Sequence, residues 1–252
     1  MVKASLADRG WHLIDHHPSI ATWAKAAHTS AQGALETRDE EWRCGGTWLV
    51  GVDALPNGPL GDVPGAAFPW SALPLTPEPL HQAQVSVIKP GYPQSSPAES
   101  DAAFKYRQNR DAAHLDGLIL QPDGARLMQE PHHWILGIPL NSCSATASPL
   151  VVWEGSHHIL RAALARALVN VPPVDWGIVD LNPAYQAARR EVFATCKRRL
   201  LPVLPGQATL LHRQTLHGVV PWATSAKAPL AGRIIAYFRP QMASVKDWLC
   251  FP

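Results

Sequence analysis

The sequence predicts a mainly β fold, a barrel or sandwich of short strands with added helices. Two observations carry this expectation. The 252 residues include 24 prolines and 17 glycines, and both residue types interrupt helices, which argues against a helical bundle. Between these breakers run many short β-like segments at regular spacing, without the strand–helix alternation that builds a parallel sheet. With 46% apolar or aromatic residues the chain can bury a sizeable core. Its length fits one domain over residues 1–252, and no internal repeat or low-complexity linker divides it.

The elements follow in chain order. Residues 19–38, SIATWAKAAHTSAQGALETR, bring Ile20, Trp23, Ala27, Ala31 and Leu35 near helical spacing, with Ser19 after Pro18 as the expected N-cap. GTWLVGVDAL (46–55) reads as a strand, ended by the turn-rich PNGPLGDVPG. QAQVSVI (82–88) alternates like a half-buried strand and stops at KPGYPQSSPAES. Three β-like runs follow: AHLDGLIL (113–120), HWILGIPL (133–140) and PLVVW (149–153). Helices are expected near 157–168 and 181–197, the second with Asn182 as cap, Pro183 at its first position and basic residues in its last turn. RLLPVL, QATLLH, TLHGVV and GRIIAYF return the chain to strands.

Composition excludes several function classes. A net charge of +2 is too small to argue for a nucleic-acid or membrane-surface partner, and basic residues and aromatics interleave nowhere along the chain as a nucleic-acid groove needs. Cys44, Cys143, Cys196 and Cys250 form no CxxC pair, so a structural zinc site is not expected and the thiols read as free. No apolar run reaches the roughly 18 residues of a membrane span. The opening MVKASLADRGWHLIDHHPS lacks the apolar core of a signal peptide, so a soluble, cytoplasmic protein is expected.

RDAAHLDGLIL (110–120) sets a histidine and an aspartate two apart in an apolar run. On a strand their side chains share a face, and a buried carboxylate is costly unless it is paired or bound to a metal. A His and an Asp so placed are two of the three ligands of a 2-His-1-carboxylate triad, which holds a divalent ion on one face and leaves other positions open. An isolated HxD also fits a solvent-exposed strand, so a third ligand decides between the readings. His217, in TLLHRQTLHGVVPW, lies on a late β-like run, with His212 as its competitor. Gly218 beside it would let backbone approach a ligand closely. Arg233 begins the last strong strand and can pair bidentately with a carboxylate. Arg239 shares its face but lies roughly 20 Å further along, which favours a rim or surface role.

Other polar residues read less sharply. In the pairs His132–His133 and His157–His158, neighbours face opposite sides, so structural or surface roles are expected. Glu130 either orients a ligand histidine or faces the substrate. His12, His16 and His17 read as surface residues. Ser156 beside His157 lacks the nucleophile elbow of a hydrolase. Trp134, Trp153 and Trp222 read as core, with Trp222 close enough in sequence to the distal histidine to reach a pocket.

In order and spacing, His114–Asp116, His217 and Arg233 resemble the iron(II) and 2-oxoglutarate dependent oxygenases, in their phytanoyl-CoA dioxygenase-like branch. PLVVWEGSHHILRAAL resembles that branch's PGSH turn, with Glu154 in place of proline. LPGQATLLHRQTLHG resembles its GD…H…HG strand pair, with Gln207 replacing the acidic residue. The similarity spans roughly residues 80–240. It implies a double-stranded β-helix (jelly-roll, cupin-like) core with flanking helices and the metal at one mouth. It further implies that His114, Asp116 and His217 bind Fe(II) and that Arg233 holds the distal carboxylate of 2-oxoglutarate as co-substrate. Gln84 and Asn141 are the candidates for further polar contacts to it. Many relatives place a serine or threonine where Val219 stands. The activity implied is a dioxygenase that hydroxylates a small molecule with O2 and releases succinate and CO2. A cupin-like metal-binding or ligand-sensing barrel using the same three ligands is the alternative, and Arg233 discriminates the two. Substrate identity and oligomeric state are not specified by any of these residues.

Overall fold

The structure, a computed structural model, describes residues 2–97 and 99–251. From the N-terminus come α1 (Val2–Arg9), β1 (Trp11–Ile14), α2 (Pro18–Glu36), β2 (Trp48–Leu49), β3 (Gln84–Ile88) and α3 (Asp101–Asn109). The hairpin β4 (Leu118–Leu120) and β5 (Arg126–Met128) follows, then β6 (Trp134–Pro139), β7 (Leu150–Glu154), α4 (Ser156–Leu168) and α5 (Asn182–Thr195). The chain closes with β8 (Lys197–Leu201), β9 (Ala208–His212), β10 (His217–Val219), β11 (Arg233–Phe238) and α6 (Val245–Cys250).

Two antiparallel sheets face each other. The larger has the order β1-β9-β6-β11-β3-β2 and the smaller β10-β7-β8. An isolated bridge between His114 and His217 lays the segment before β4 alongside β10, extending the smaller sheet. Taken in chain order from β3, the chain therefore crosses repeatedly between the two sheets, with β7 and β8 as an antiparallel pair within the smaller one. That connectivity is the jelly roll, or double-stranded β-helix. Ile135 and Leu211 of the larger sheet pack on Leu150, Val152 and Leu201 of the smaller, closing the space between them.

Alternation on the strands assigns the layers. Along β11, Ile234, Ala236 and Phe238 point outward beneath α2, while Arg233, Ile235 and Tyr237 line the space between the sheets. The buried face of α2 is Ile20, Trp23, Ala24, Ala27 and Ala31, and its alanines let the helix lie close on the sheet. Trp23 meets Phe68 and Phe238 at centroid distances of 5.2 and 5.7 Å, and its indole N–H donates to the Gly61 carbonyl at 2.8 Å. Truncating such a fully buried tryptophan costs about 3–5 kcal/mol. On the far side, Val151 and Trp153 of β7 pack with Leu160 and Leu164 of α4 and Tyr185, Ala188 and Val192 of α5.

Several expected boundaries shift, each for a local reason. The N-cap of α2 is His17 rather than Ser19: Pro18 occupies the first turn, where a missing N–H costs nothing, and the His17 ring accepts from the Ser19 amide at 3.2 Å. The expected strand 46–55 shrinks to β2 because Gly51 and Asp53 take left-handed φ values of 59° and 49°. The expected strand 113–120 shrinks to β4, since Gly117 at φ 86° turns the chain just after Asp116. Helix α3 was not anticipated, because it buries no residue and so carries no apolar stripe; Ser100 caps it. Strand β1 joins the sheet edge beside β9 and brings His12 with it. All four cysteines are free. Among the described residues, no helix is long and apolar enough to cross a membrane.

Candidate metal centre

His114 and His217 are set by backbone. Each donates its amide to the other's carbonyl, His114 N to His217 O at 2.8 Å and His217 N to His114 O at 3.1 Å. This places the two candidate ligands opposite each other across an isolated antiparallel bridge. Gly218 makes the approach possible, because a Cβ there would overlap the Asp111 carbonyl oxygen. The glycine thus serves strand contact rather than the ligand approach expected of it. Asp111 is anchored in turn by a bidentate pair with Arg198, at 2.7 and 2.8 Å.

The side chains converge on one point. Donor atoms of His114, Asp116 and His217 all lie within 4.8 Å of one another. Nδ1 of His114 bonds the Ala112 carbonyl at 2.9 Å, and Nδ1 of His217 bonds the Thr215 carbonyl at 3.0 Å. Those acceptors assign the proton to Nδ1 in both rings, leaving the Nε2 lone pairs free. The two Nε2 atoms face Asp116 Oδ1 at 3.1 and 3.7 Å. Three potential donors converge closely enough for a divalent metal ion to fit between them. The His114 side chain is 51% exposed, whereas Asp116 and His217 are 10% and 8% exposed, so the open side of the cluster lies past His114.

The titration of the three groups reflects the same crowding. Burial acts to raise the Asp116 pKa, but the charge of His217 and the hydrogen bond from His114 overcome it and hold the carboxyl well below its ordinary range. Burial, followed by repulsion from His114, pushes His217 down to about 4. His114 moves the other way: burial opposes its charge, yet the hydrogen bond and charge of Asp116 raise its pKa.

The structure places Arg239 at this cluster rather than in the rim role expected of it. Its guanidinium donates to Asp116 Oδ2 at 3.2 Å and to Gln84 Oε1 at 2.5 Å. The end of β11 nearest the candidate cluster is therefore its C-terminal end. Asp116 is left with Oδ1 for the cluster while Oδ2 is occupied. Gln84 holds Arg239 and lines the same pocket as the three ligands.

Arg233 lies at the opposite end of the same strand face. It is 8% exposed, its Nε is buried without a partner, and it forms no salt bridge among the described residues. It lines a cavity of about 420 Å³ with Asn141, Cys143 and Gln207, and this cavity shares Leu150, Thr209 and Tyr237 with the pocket at the metal cluster. Asn141 braces the loop below it, donating to the Gly232 carbonyl at 2.7 Å and accepting from the Ile234 amide at 3.0 Å. Val219, half-buried with Ile88 and Trp222, offers no hydroxyl here.

The remaining candidates are structural. His132 is buried between Glu130, at 3.3 Å, and the Arg239 carbonyl, and His133 contacts Glu78 at 3.1 Å. Glu130 therefore pairs with His132 rather than with a metal ligand. His157 bonds the Ala7 carbonyl at 2.8 Å and lies 4.8 Å from the tilted ring of His212, and neither belongs to the cluster. Trp222 packs against Tyr92 and Ile88 instead of the metal pocket. Trp48 was not anticipated at the site; it lines the metal pocket and donates to Ser86 Oγ at 3.1 Å.

No protein-family model and no curated protein matches the chain. Solved structures do resemble it. The non-heme alpha ketoglutarate dependent carbocyclase SnoK from nogalamycin biosynthesis is 14% identical, with a TM-score of 0.49 over 97% of this chain and 86% of that one. AviO1 from Streptomyces viridochromogenes Tue57 is 13% identical, with a TM-score of 0.46 over 96% and 94%. EctD from S. alaskensis with 2-oxoglutarate and 5-hydroxyectoine is 13% identical, with a TM-score of 0.47 over 94% and 73%.

Proposed function

We propose that the protein is an Fe(II)- and 2-oxoglutarate-dependent oxygenase that hydroxylates a small molecule. The observation that carries this reading is the pairing of a His–Asp–His donor set with a buried, unpartnered arginine in an adjoining cavity. A buried guanidinium without a carboxylate is costly on its own, and a carboxylate bound in the cavity that Arg233 lines removes that cost.

When bound, iron with 2-oxoglutarate supplies the oxidising power for C–H hydroxylation, with O2 consumed and succinate and CO2 released. The chain does the holding. His114, Asp116 and His217 would hold the ion, with the side past His114 open to solvent. Arg239 and Gln84 keep Asp116 oriented through its second oxygen. Arg233 receives the distal carboxylate, and Ile135, Leu150 and Leu211 exclude water from the space between.

Val219 favours a second reading, a metal-binding barrel without 2-oxoglutarate, because it supplies no hydroxyl to a carboxylate. One experiment separates them. Anaerobic addition of Fe(II) and 2-oxoglutarate is expected to give a visible charge-transfer band that His114→Ala abolishes. Metal binding without a band, and without any rise in Tm on adding 2-oxoglutarate, would overturn the oxygenase reading and leave the second one.

A further inference from the structure

A cleft of about 390 Å³ opens on the solvent side of His114, within the range of small-molecule sites, roughly 300–1,000 Å³. It meets the metal pocket at His114, Trp48 and Val219. Its distinguishing feature is charge: Arg43, Arg107, Arg126 and Arg189 line it, and no carboxylate does. Arg107 alone of the four has an acidic partner among the described residues, Glu99 at 2.5 Å. Among the described residues the other three form no salt bridge, in a chain whose net charge is only +2.

The guanidinium groups are held ready. Arg126 and Arg189 stand 5.5 and 5.3 Å from the ring of the same Tyr185, and Arg189 also lies 4.6 Å from Tyr106. Stacking on tyrosine fixes a guanidinium in place without neutralising it. Arg126 Nε is buried with no hydrogen-bond partner. Arg126 donates to the Leu118 carbonyl at 3.4 Å and Arg189 to Gln186 Oε1 at 2.6 Å, so two like charges beside one ring meet only neutral acceptors and describe a seat for an anion. Tyr106 connects that seat to the metal ligands, since its hydroxyl donates to the Ala113 carbonyl at 2.7 Å. Toward the metal the wall turns apolar, with Trp48, Ile88 and Val219.

We propose that this cleft is the substrate site and takes a small molecule with an oxyanion group, phosphate or carboxylate, on an apolar body. The oxyanion rests on Arg126 and Arg189, and the body extends past Trp48 to the cluster. That the bound molecule is a substrate rests on the oxygenase reading; the anion preference does not.

The test is isothermal titration of the Mn(II)-loaded protein with 1-naphthyl phosphate, 1-naphthoate and 1-naphthol. It is done in the Arg233→Met background so that Arg233 contributes nothing. At least one anion should bind about tenfold more tightly than 1-naphthol, more weakly at high salt. The tighter of the two identifies the oxyanion. Arg126→Gln and Arg189→Gln should each weaken it about fivefold or more without changing 1-naphthol binding. Arg43→Gln, at an exposed position, should weaken it less and serves where the others fail to fold. Equal affinity for the anions and 1-naphthol, or no binding at all, would overturn the proposal. Anion preference without a 2-oxoglutarate band would sink the oxygenase reading and leave the anion seat. A band without anion preference would sink this proposal alone.

Discussion

Replacing Arg233 by methionine removes the cation while keeping a side chain of similar length, and two opposite effects follow. In the ligand-free protein the guanidinium is 8% exposed, has no salt bridge and leaves Nε unpaired. Its removal should stabilise the fold by about 1–3 kcal/mol. At about 2–4 °C per kcal/mol for a domain of this size, Tm should rise by several degrees. With 2-oxoglutarate the sign reverses. A carboxylate about 4 Å from a guanidinium gains roughly 4 kcal/mol at an effective dielectric constant near 20. Stripping water from the ligand offsets part of this, leaving about 2–4 kcal/mol, or roughly 30- to 1,000-fold in Kd. Differential scanning fluorimetry of wild type and Arg233→Met, each with Mn(II) and a series of 2-oxoglutarate concentrations, reads both effects at once. The variant should start higher and respond less. A Kd for 2-oxoglutarate within about threefold of wild type would refute the assignment of Arg233, and a loss confined to Arg239→Met would move the anchor to the barrel mouth.

Two further outcomes test the frame around the site. Gly218→Val should destabilise the protein by about 1–3 kcal/mol in urea unfolding and weaken metal binding, because the new side chain overlaps the Asp111 carbonyl oxygen and pushes β10 away from the segment that carries His114; unchanged stability and affinity would contradict this. Burial lowers His157 to about 4 and His212 to about 2, so between the ordinary histidine value and those values the unfolded chain binds more protons and stability falls as pH falls. From about pH 6.5 to about pH 5 the pair should remove roughly 3 kcal/mol, and a flat urea midpoint across that window would show that the two rings titrate in the folded protein.

Much of the centre was legible because its parts sit close together in the chain or carry a local mark. His114 and Asp116 interrupt an apolar run, and His217 precedes a glycine that only a crowded strand contact explains. Chemistry fixed by direction along a strand was less accessible. The alternation that gives Arg233 and Arg239 one face does not say which end of β11 meets the cluster, and the position of Arg239 where the strand ends reads as a rim. The arginine cleft was beyond sequence reasoning altogether. Arg43, Arg107, Arg126 and Arg189 come from four separate segments, and no linear pattern links them before α3, β5 and α5 bring them to one opening. Helix α3, which carries Arg107, buries nothing and so leaves no periodic trace.

The paired backbone hydrogen bonds between His114 and His217 have a consequence for how an ion is acquired. Two of the three ligands are positioned by the ladder itself, and the third is clamped by Arg239. Loading is then a docking event and not a folding event: little chain entropy is lost when the ion arrives. Chelation should leave the far-ultraviolet circular dichroism unchanged and lower Tm only by the mass-action amount set by free ion and affinity. With His114 half-exposed, an ion would have an entrance from solvent, and filling the site would not require unfolding.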